Sequence, residues 1–243
     1  FNDGGDKDII KQIPKHIKNH KNFKYHYSDI NYGYASRGGS AAPGGMVGAV
    51  DLVKYPYILQ QNQDDFYTSA FYSLSLKHLL NSEDDVAGVC SNCYHVDEEF
   101  EVLDIPFPID GHQAKNINQS WSNPELMFDW IFGIDGDKLT RSNNFLYNPG
   151  TMFKTELYKS IGKPDIKNFG GACDFEYWAR AVFNGYKFKY LNFPTWFYMK
   201  SSHSHSSMDS GDNSARKNIY IPRIREKYEK LWLENNKKIK KIR

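Results

Sequence analysis

The sequence has few cysteines, no long apolar run and almost no charge imbalance, and each absence excludes a class of protein. The 243 residues include three cysteines, Cys90, Cys93 and Cys173. They are too few, and odd in number, for a disulfide framework, so we expect a reducing compartment. No apolar stretch approaches the ~20 residues of a membrane-spanning helix. A net charge of +2 lacks the basic surplus of nucleic-acid-binding proteins, so we expect no nucleic acid partner.

The composition is that of a soluble globular protein. Hydrophobic residues make up 40% and charged residues 25% of the chain, and its length allows one large domain or one domain with a tail. Aromatic residues reach 16%; they suit the apolar faces of sugars and bases but also fill cores. Together with the cysteine content, this composition predicts a cytoplasmic protein.

Basic residues concentrate near the C-terminus, after a polar stretch with helical character. They are Lys237, Lys238, Lys240, Lys241 and Arg243. Each basic residue near an anionic membrane surface contributes about 1 kcal/mol of attraction. This tail could therefore make a peripheral membrane contact, although a solvated tail is the simpler interpretation.

Strands and helices alternate along the chain, which predicts an α/β domain. Short apolar runs predict strands at 23–27, 55–60, 86–90 and 186–191. Helical spacing, N-cap residues and terminal glycines predict helices at 68–80, 125–132, 155–161 and 174–184.

Two adjacent acids, Asp64 and Asp65, follow the predicted strand at 55–60. Open α/β sheets bind ligands beyond the carboxyl ends of their strands. Concentrated negative charge there would be offset by a cation, and Mg²⁺ or Mn²⁺ prefer such oxygen ligands together with substrate phosphates. The alternative is a helix N-terminus that favours acids, which accounts for one acid better than for two.

A third acid, Asp174, begins a predicted helix. The helix dipole favours an ionised carboxylate at this position, and such a group can act as a general base. Glu176 is a rival, but two residues of helix turn about 200°, so both side chains cannot face one site.

Two further patterns could bind metal. Cys90 and Cys93, with His95 close by, have the spacing of half a zinc site, but no second pair follows. Two unreactive thiols are the preferred interpretation. His203 and His205 lie in a Ser-rich loop and could contact a metal or a diphosphate, or could simply be exposed.

Four segments, in order, resemble motifs of glycosyltransferase family 2. They are Asn2-Asp3-Gly4-Gly5, then Asn31-Tyr32-Gly33 with Arg37, then Tyr57-Ile58-Leu59 leading to Gln63-Asp64-Asp65, and finally Cys173-Asp174-Phe175-Glu176 with Arg180 and Gly185-Tyr186. The resemblance covers about residues 1–205. It departs from the family pattern at Asn62, where an Asp is usual, at Cys173, where a Glu is usual, and in a Gly- and Ala-rich insertion at 38–53.

The resemblance implies a GT-A fold, which is a Rossmann-like, mostly parallel central sheet flanked by helices, here with a C-terminal helical extension. We expect residues 1–205 to form the catalytic domain, lacking its first strand, and 206–243 to form a loop, a helix and a basic tail. The implied reaction transfers a sugar, with inversion, from a UDP- or dTDP-sugar to a glycan or lipid-linked acceptor.

The resemblance also implies residue roles. Asp3 and Arg37 would hold the nucleotide base, and Asn62 would contact the ribose through its amide. Asp64 and Asp65 would bind Mn²⁺ or Mg²⁺ and the diphosphate, and the resemblance does not say which of the two ligates the metal. Asp174 would deprotonate the acceptor. The remaining candidates are His203 as a further metal ligand, and Trp121 and Trp196 as an acceptor platform, for which a core position is an equal alternative.

Two other classes of protein stay open at this point. A sugar-nucleotide nucleotidyltransferase also uses carboxylates and a metal on a related sheet. A non-catalytic carbohydrate-binding domain would share the aromatic content. Hydrolysis of a nucleotide sugar would separate an enzyme from such a binding domain.

Overall fold

The computed structural model describes residues 1–3, 7–29, 45–62, 64–106, 117–119, 121–142, 146, 149–200 and 216–242. The strands are β1 Asn2–Asp3, β2 Tyr27–Ser28, β3 Tyr57–Leu59, β4 Phe66–Tyr67, β5 Val86–Val96, β6 Val102–Asp104, β7 Ile134–Asp135, β8 Lys138–Leu139, β9 Thr151–Lys154 and β10 Lys187–Met199. The α-helices are α1 Lys15–Lys18, α2 Ser69–Leu80, α3 Pro124–Phe132, α4 Glu156–Ile161, α5 Ile166–Phe169, α6 Cys173–Phe183 and α7 Ile221–Ile242. Short 3-10 turns occur at Lys7–Lys11, Val50–Leu52 and Gly170–Ala172, and π-helical turns at Gly45–Ala49 and Arg216–Tyr220.

The fold is α/β and is built on a six-stranded mixed sheet. Its strand order is β3-β9-β5-β10-β4, and β6 pairs with β5. β5 and β10 are parallel, whereas the pairs β3 with β9, β5 with β9, β5 with β6 and β4 with β10 are antiparallel. The prediction of a mostly parallel sheet was therefore wrong, because the short strand β9 lies between β3 and β5 and runs opposite to both.

Helices cover both faces of this sheet. On one face, Phe71 and Leu79 of α2 pack with Val89 of β5 and Trp196 of β10. On the other face lies the larger core, to which α3, α6 and α7 contribute large side chains that include Phe132, Trp178 and Tyr228. The sheet is thus the middle layer of three, as expected for an α/β domain.

Two of the predicted helices begin at capping residues that the sequence indicates. Thr68 caps α2, since its side chain accepts a hydrogen bond from the Phe71 amide. Asn123 caps α3 by accepting bonds from the amides of Glu125 and Leu126. Gly185, after α6, has a φ of 88° that an L side chain rarely adopts.

The helix α7 is part of the main core. Its Ile224 and Tyr228 side chains are fully buried, and Tyr228 contacts the rings of Phe128 and Phe132 in α3. The C-terminal segment contains the predicted helix, and this helix shares a core with α3 and α6. None of the helices in the described ranges combines the length and apolar composition that crossing a bilayer requires.

A buried carboxylate joins α6 to α7. Glu176 is 0% exposed; its Oε1 lies 2.6 Å from Lys227 Nζ and accepts a 3.0 Å hydrogen bond from the Tyr228 hydroxyl. Arg180 lies 3.4 Å from its other oxygen. Opposite charge and hydrogen bonds of this kind offset the cost of burying a carboxylate.

The short strands β1 and β2 form a separate parallel pair, with Asn2 opposite Tyr27 and Asp3 opposite Ser28. Within the described residues, no ladder connects this pair to the six-stranded sheet. The backbone of Asn2 and Asp3 is therefore extended in this pair.

We expect Lys227→Met to destabilise the protein, because it leaves a buried carboxylate with fewer partners. The free energy of unfolding in urea should fall by about 1–3 kcal/mol. This is less than the cost of a wholly unpaired buried charge, because Arg180 and Tyr228 remain as partners of Glu176. Lys230→Met is the matched control on the same helix, where the exposed pair with Glu226 should contribute little. Equal stability of the two variants would contradict the anchoring role of Glu176.

Candidate functional site

Three strands of the central sheet run in the same direction. β5 is parallel to β10, and β3 runs in the same direction because both β3 and β5 are antiparallel to β9. The acid pair follows β3, and β10 ends at Met199. The acid pair therefore lies between the end of β3 and the start of β4, and Asp65 contacts the end of β10.

The two adjacent acids have different environments. Asp65 is 2% exposed, and Asp64 is exposed. Asp65 Oδ1 accepts a 3.3 Å hydrogen bond from the Met199 amide, and Oδ2 accepts a 3.0 Å bond from the Asn62 side chain. Asp65 therefore ties the segment after β3 to the end of β10, and Asp64 is the carboxylate open to a ligand.

Burial changes the acidity of Asp65. Desolvation, with the adjacent Asp64 charge as a smaller cause, raises the pKa of this carboxyl from 3.8 to about 7, and the bonds from Met199 and Asn62 only partly oppose the rise. The pKa of the neighbouring Tyr67 hydroxyl is also raised, mainly by burial. The single proton of the Tyr67 hydroxyl is shared between the carbonyl oxygens of Gln60 and Pro149, and these contacts hold the segment between β3 and the acids.

These residues fit a cation that is shared with a substrate better than a cage built by the protein alone. In the described part of the chain, no three His, Cys, Asp or Glu side chains are grouped to hold a metal ion. Asp64 supplies one accessible carboxylate, whereas both oxygens of Asp65 accept hydrogen bonds. Mg²⁺ commonly binds one or two carboxylates and takes its other ligands from phosphates and water.

Asn62 is partly exposed, and one hydrogen of its amide is used by Asp65. Its side-chain oxygen is the atom that could accept a hydrogen bond from a ribose hydroxyl. The amide therefore has a structural role that is compatible with the predicted ribose contact, which stays a prediction.

Both tryptophans proposed as an acceptor platform lie in the core. Trp196 is 0% exposed, and its indole NH donates to the Ser91 carbonyl. Trp121 is 1% exposed and packs edge-on against Tyr190 and Trp130. We correct this assignment, because a buried indole offers no surface to a sugar and the alternative of a core position applies to both residues.

Asp174 lies in the first turn of α6 and its side chain is 19% exposed. Its Oδ1 accepts a 2.7 Å hydrogen bond from the Phe175 amide, and Oδ2 makes no hydrogen bond to the described part of the chain. Glu176 is buried against α7, so the expectation that these two acids face different environments is confirmed.

The helix α6 runs antiparallel to β10, so its first turn, which carries Asp174, is its end nearer to Met199. A short turn at Gly185 joins α6 to β10, and Trp178 packs against Phe188. The helix therefore runs back along the strand, and its first turn points toward the carboxyl end of β10.

Arg216 is a candidate that sequence analysis missed. Its Nη2 lies 4.0 Å from Asp174 Oδ1, and its side chain is 32% exposed. The π-helical turn before α7 carries this arginine, and the packing of Tyr220 and Ile221 against the main core holds that turn. No local motif marks the residue, because only the return of the C-terminal segment to α6 brings the two charges together.

The cysteines form no zinc site in the described residues. Cys90, Cys93 and Cys173 are free and buried, and burial raises the pKa of the Cys93 thiol. The His95 side chain pairs with Asp104 rather than with a cysteine, and Lys200 pairs with the same carboxylate at 3.4 Å. The interpretation of unreactive thiols agrees with this burial.

The structure describes no side chain for three predicted site residues. Arg37 and His203 lie outside the described ranges, and of Asp3 only the backbone in β1 is described. The predicted convergence of Asp3 and Arg37 with the acid pair therefore stays a prediction. Neither a family model nor a curated protein matches the sequence.

The raised pKa of Asp65 predicts a pH dependence of stability. Because the folded carboxyl has the higher pKa, folding takes up a proton, and the free energy of unfolding falls as pH rises from the unfolded pKa toward about 7. Between about pH 5 and pH 8 this amounts to at most about 3 kcal/mol. With a chelator present, Asp65→Asn should remove this part of the pH dependence in urea unfolding.

Asp64→Asn is the control for the same measurement. It removes the neighbouring charge that contributes to the shift, so the pH dependence should persist but move to lower pH. An unchanged pH profile in Asp65→Asn would contradict a buried, readily protonated Asp65.

Proposed function

We propose that this chain is the catalytic part of an inverting glycosyltransferase of GT-A type. In this proposal it transfers a sugar from a UDP- or dTDP-sugar, with the help of Mn²⁺ or Mg²⁺, to a hydroxyl of a glycan or lipid-linked acceptor. The observation that carries the proposal is the exposed Asp64, held beyond the end of β3 by its buried neighbour Asp65. The sequence resemblance to family 2 supports the same site.

The donor would bind through its diphosphate at this edge. Asp64 would hold the divalent cation, and the cation would neutralise charge that develops on the departing diphosphate. Asp65 would act indirectly, by fixing the backbone of Asp64 through its hydrogen bond to Met199. Asn62, with Asp3 and Arg37, would contact the nucleoside.

The acceptor would be activated by Asp174. A hydroxyl that attacks the anomeric carbon must lose a proton, and Oδ2 of Asp174 can take it while Oδ1 stays bound to the Phe175 amide. Fixing one oxygen in this way orients the carboxylate before the reaction. Arg216 adds positive charge near this position, where it would attract the anionic donor.

The proposal requires that diphosphate binding depends on a cation. In calorimetry, UDP or dTDP should bind with Mn²⁺ and only weakly with a chelator. Asp64→Ala should lower the affinity by at least about tenfold, since even a lost outer-shell partner of a metal costs 10–100-fold. Asp137→Ala, an exposed acid in the turn between β7 and β8, should bind as the native protein does. Binding that is independent of metal and unchanged in Asp64→Ala would exclude a metal-bridged diphosphate.

If Asp174 is the general base, its substitution should change the reaction rate much more than the affinity for the donor. Asp174→Asn should leave donor affinity nearly intact and lower turnover by about 100- to 10,000-fold, the usual contribution of general base catalysis. Asp165→Asn is the matched control, because Asp165 also lies at a helix start, where its side chain accepts a bond from the Asn168 amide. Full transferase activity in Asp174→Asn, or equal rate losses in both variants, would mean that another residue is the base.

A further inference from the structure

Four aromatic side chains form a row at the end of the sheet beside the acid pair. Phe197 of β10 lies opposite Phe66 of β4 on one side and Tyr94 of β5 on the other. Register partners project to the same face of a sheet. Tyr94 stacks on Phe197 with ring centroids 5.5 Å apart, and Phe66 meets Phe100, in the turn after β5, at 5.3 Å. We call these four residues the aromatic row.

The aromatic row is accessible at its outer end. Phe66 is 42% exposed and Phe100 is 56% exposed, while Phe197 and Tyr94 are partly buried. The residue before Phe197 in β10 is not accessible in this way. Trp196 is fully buried and packs in the core beneath α2. Leaving large apolar rings in water forgoes the burial free energy that they could contribute, and contiguous exposed apolar surface often marks a binding site.

Phe100 is held outward in an unfavourable backbone conformation. Its φ is 64°, in the left-handed region where a bulky side chain is an outlier. The turn is fixed by Asp97, whose side chain accepts bonds from the amides of Glu99 and Glu101 and whose carbonyl accepts from the Phe100 amide. A glycine would adopt this φ without strain. A phenylalanine in this strained position is therefore a candidate for a functional ring.

The charges around the aromatic row suit a neutral, hydroxyl-rich ligand. Phe66 directly follows the acid pair, and the turn that carries Phe100 contains Asp97, Glu98, Glu99 and Glu101. Carboxylates accept hydrogen bonds from hydroxyl groups, whereas they repel phosphate-bearing membranes and nucleic acids. Aromatic rings can stack on the apolar face of a pyranose ring.

We propose that the aromatic row is the subsite that binds a pyranose ring of the acceptor. The acceptor role depends on the proposed glycosyltransferase function, but the binding of a sugar by the row does not. The row takes the place of Trp121 and Trp196 as the platform. Phe66 and Phe100 supply the stacking surface, and Asp64 and the acids of the turn after β5 supply hydroxyl acceptors.

The test is saturation-transfer NMR with methyl β-D-glucopyranoside and methyl β-D-galactopyranoside, without donor or cation. We expect at least one of them to receive saturation at its ring protons. Phe100→Gly and Phe66→Ala should each weaken that binding by at least about fivefold. Phe100→Gly should not lower the melting temperature, because glycine relieves the positive φ, so its loss of binding would not reflect unfolding. Phe193→Ala, with the same 42% exposure as Phe66, is the matched control.

The outcomes separate this inference from the proposed function. No saturation of either pyranoside, or binding that persists in both variants, would overturn the sugar subsite even if the protein hydrolyses nucleotide sugars. A native dimer that Phe66→Ala converts to a monomer would assign the row to self-association and would overturn it as well. Row-dependent sugar binding without any nucleotide-sugar turnover would support the subsite and favour a carbohydrate-binding domain.

Discussion

The parallel pairing of β5 with β10 is the constraint on which the rest of the structure depends. β5 is buried along almost its whole length, and β10 follows it from Lys187 to Met199. This pairing sets the direction of the sheet and gives α2 and α6 opposite faces to cover. It also places the end of β10 where Asp65, in the segment after β3, accepts a hydrogen bond from Met199. The carboxyl ends of β5 and β10 lie at one end of the sheet, and α/β proteins commonly bind ligands beyond such strand ends.

Two buried carboxylates then attach the segments of the proposed site to that scaffold. Asp65 joins the segment after β3 to Met199, and Glu176 joins α6 to α7. Each has an acid close by in sequence that stays accessible, Asp64 in one case and Asp174 in the other. The buried member of each pair carries the desolvation cost and sets the backbone, so the accessible member is positioned without having to hold the fold together.

Much of this arrangement could be predicted from local sequence signals, and the rest depends on tertiary contacts. The caps Thr68 and Asn123 marked helix starts because capping is a local interaction. The four-residue strand β9 has too few residues for a clear alternation, and no local signal shows that it would run between β3 and β5 and make the sheet mixed. The burial of Trp196, the approach of Arg216 to Asp174 and the positive φ of Phe100 all depend on segments distant in sequence or on the backbone alone.

The most direct test of the proposed inverting transfer is the anomeric configuration of the sugar released when the protein slowly hydrolyses an α-linked UDP-hexose. ¹H NMR in the presence of Mg²⁺ follows the anomeric proton before mutarotation equilibrates the product. With Asp174 acting on the face opposite the diphosphate, water should attack from that face and the β-anomer should appear first. Initial release of the α-anomer would contradict inversion, and no hydrolysis of UDP- or dTDP-sugars with Mg²⁺ or Mn²⁺ would contradict the catalytic assignment itself.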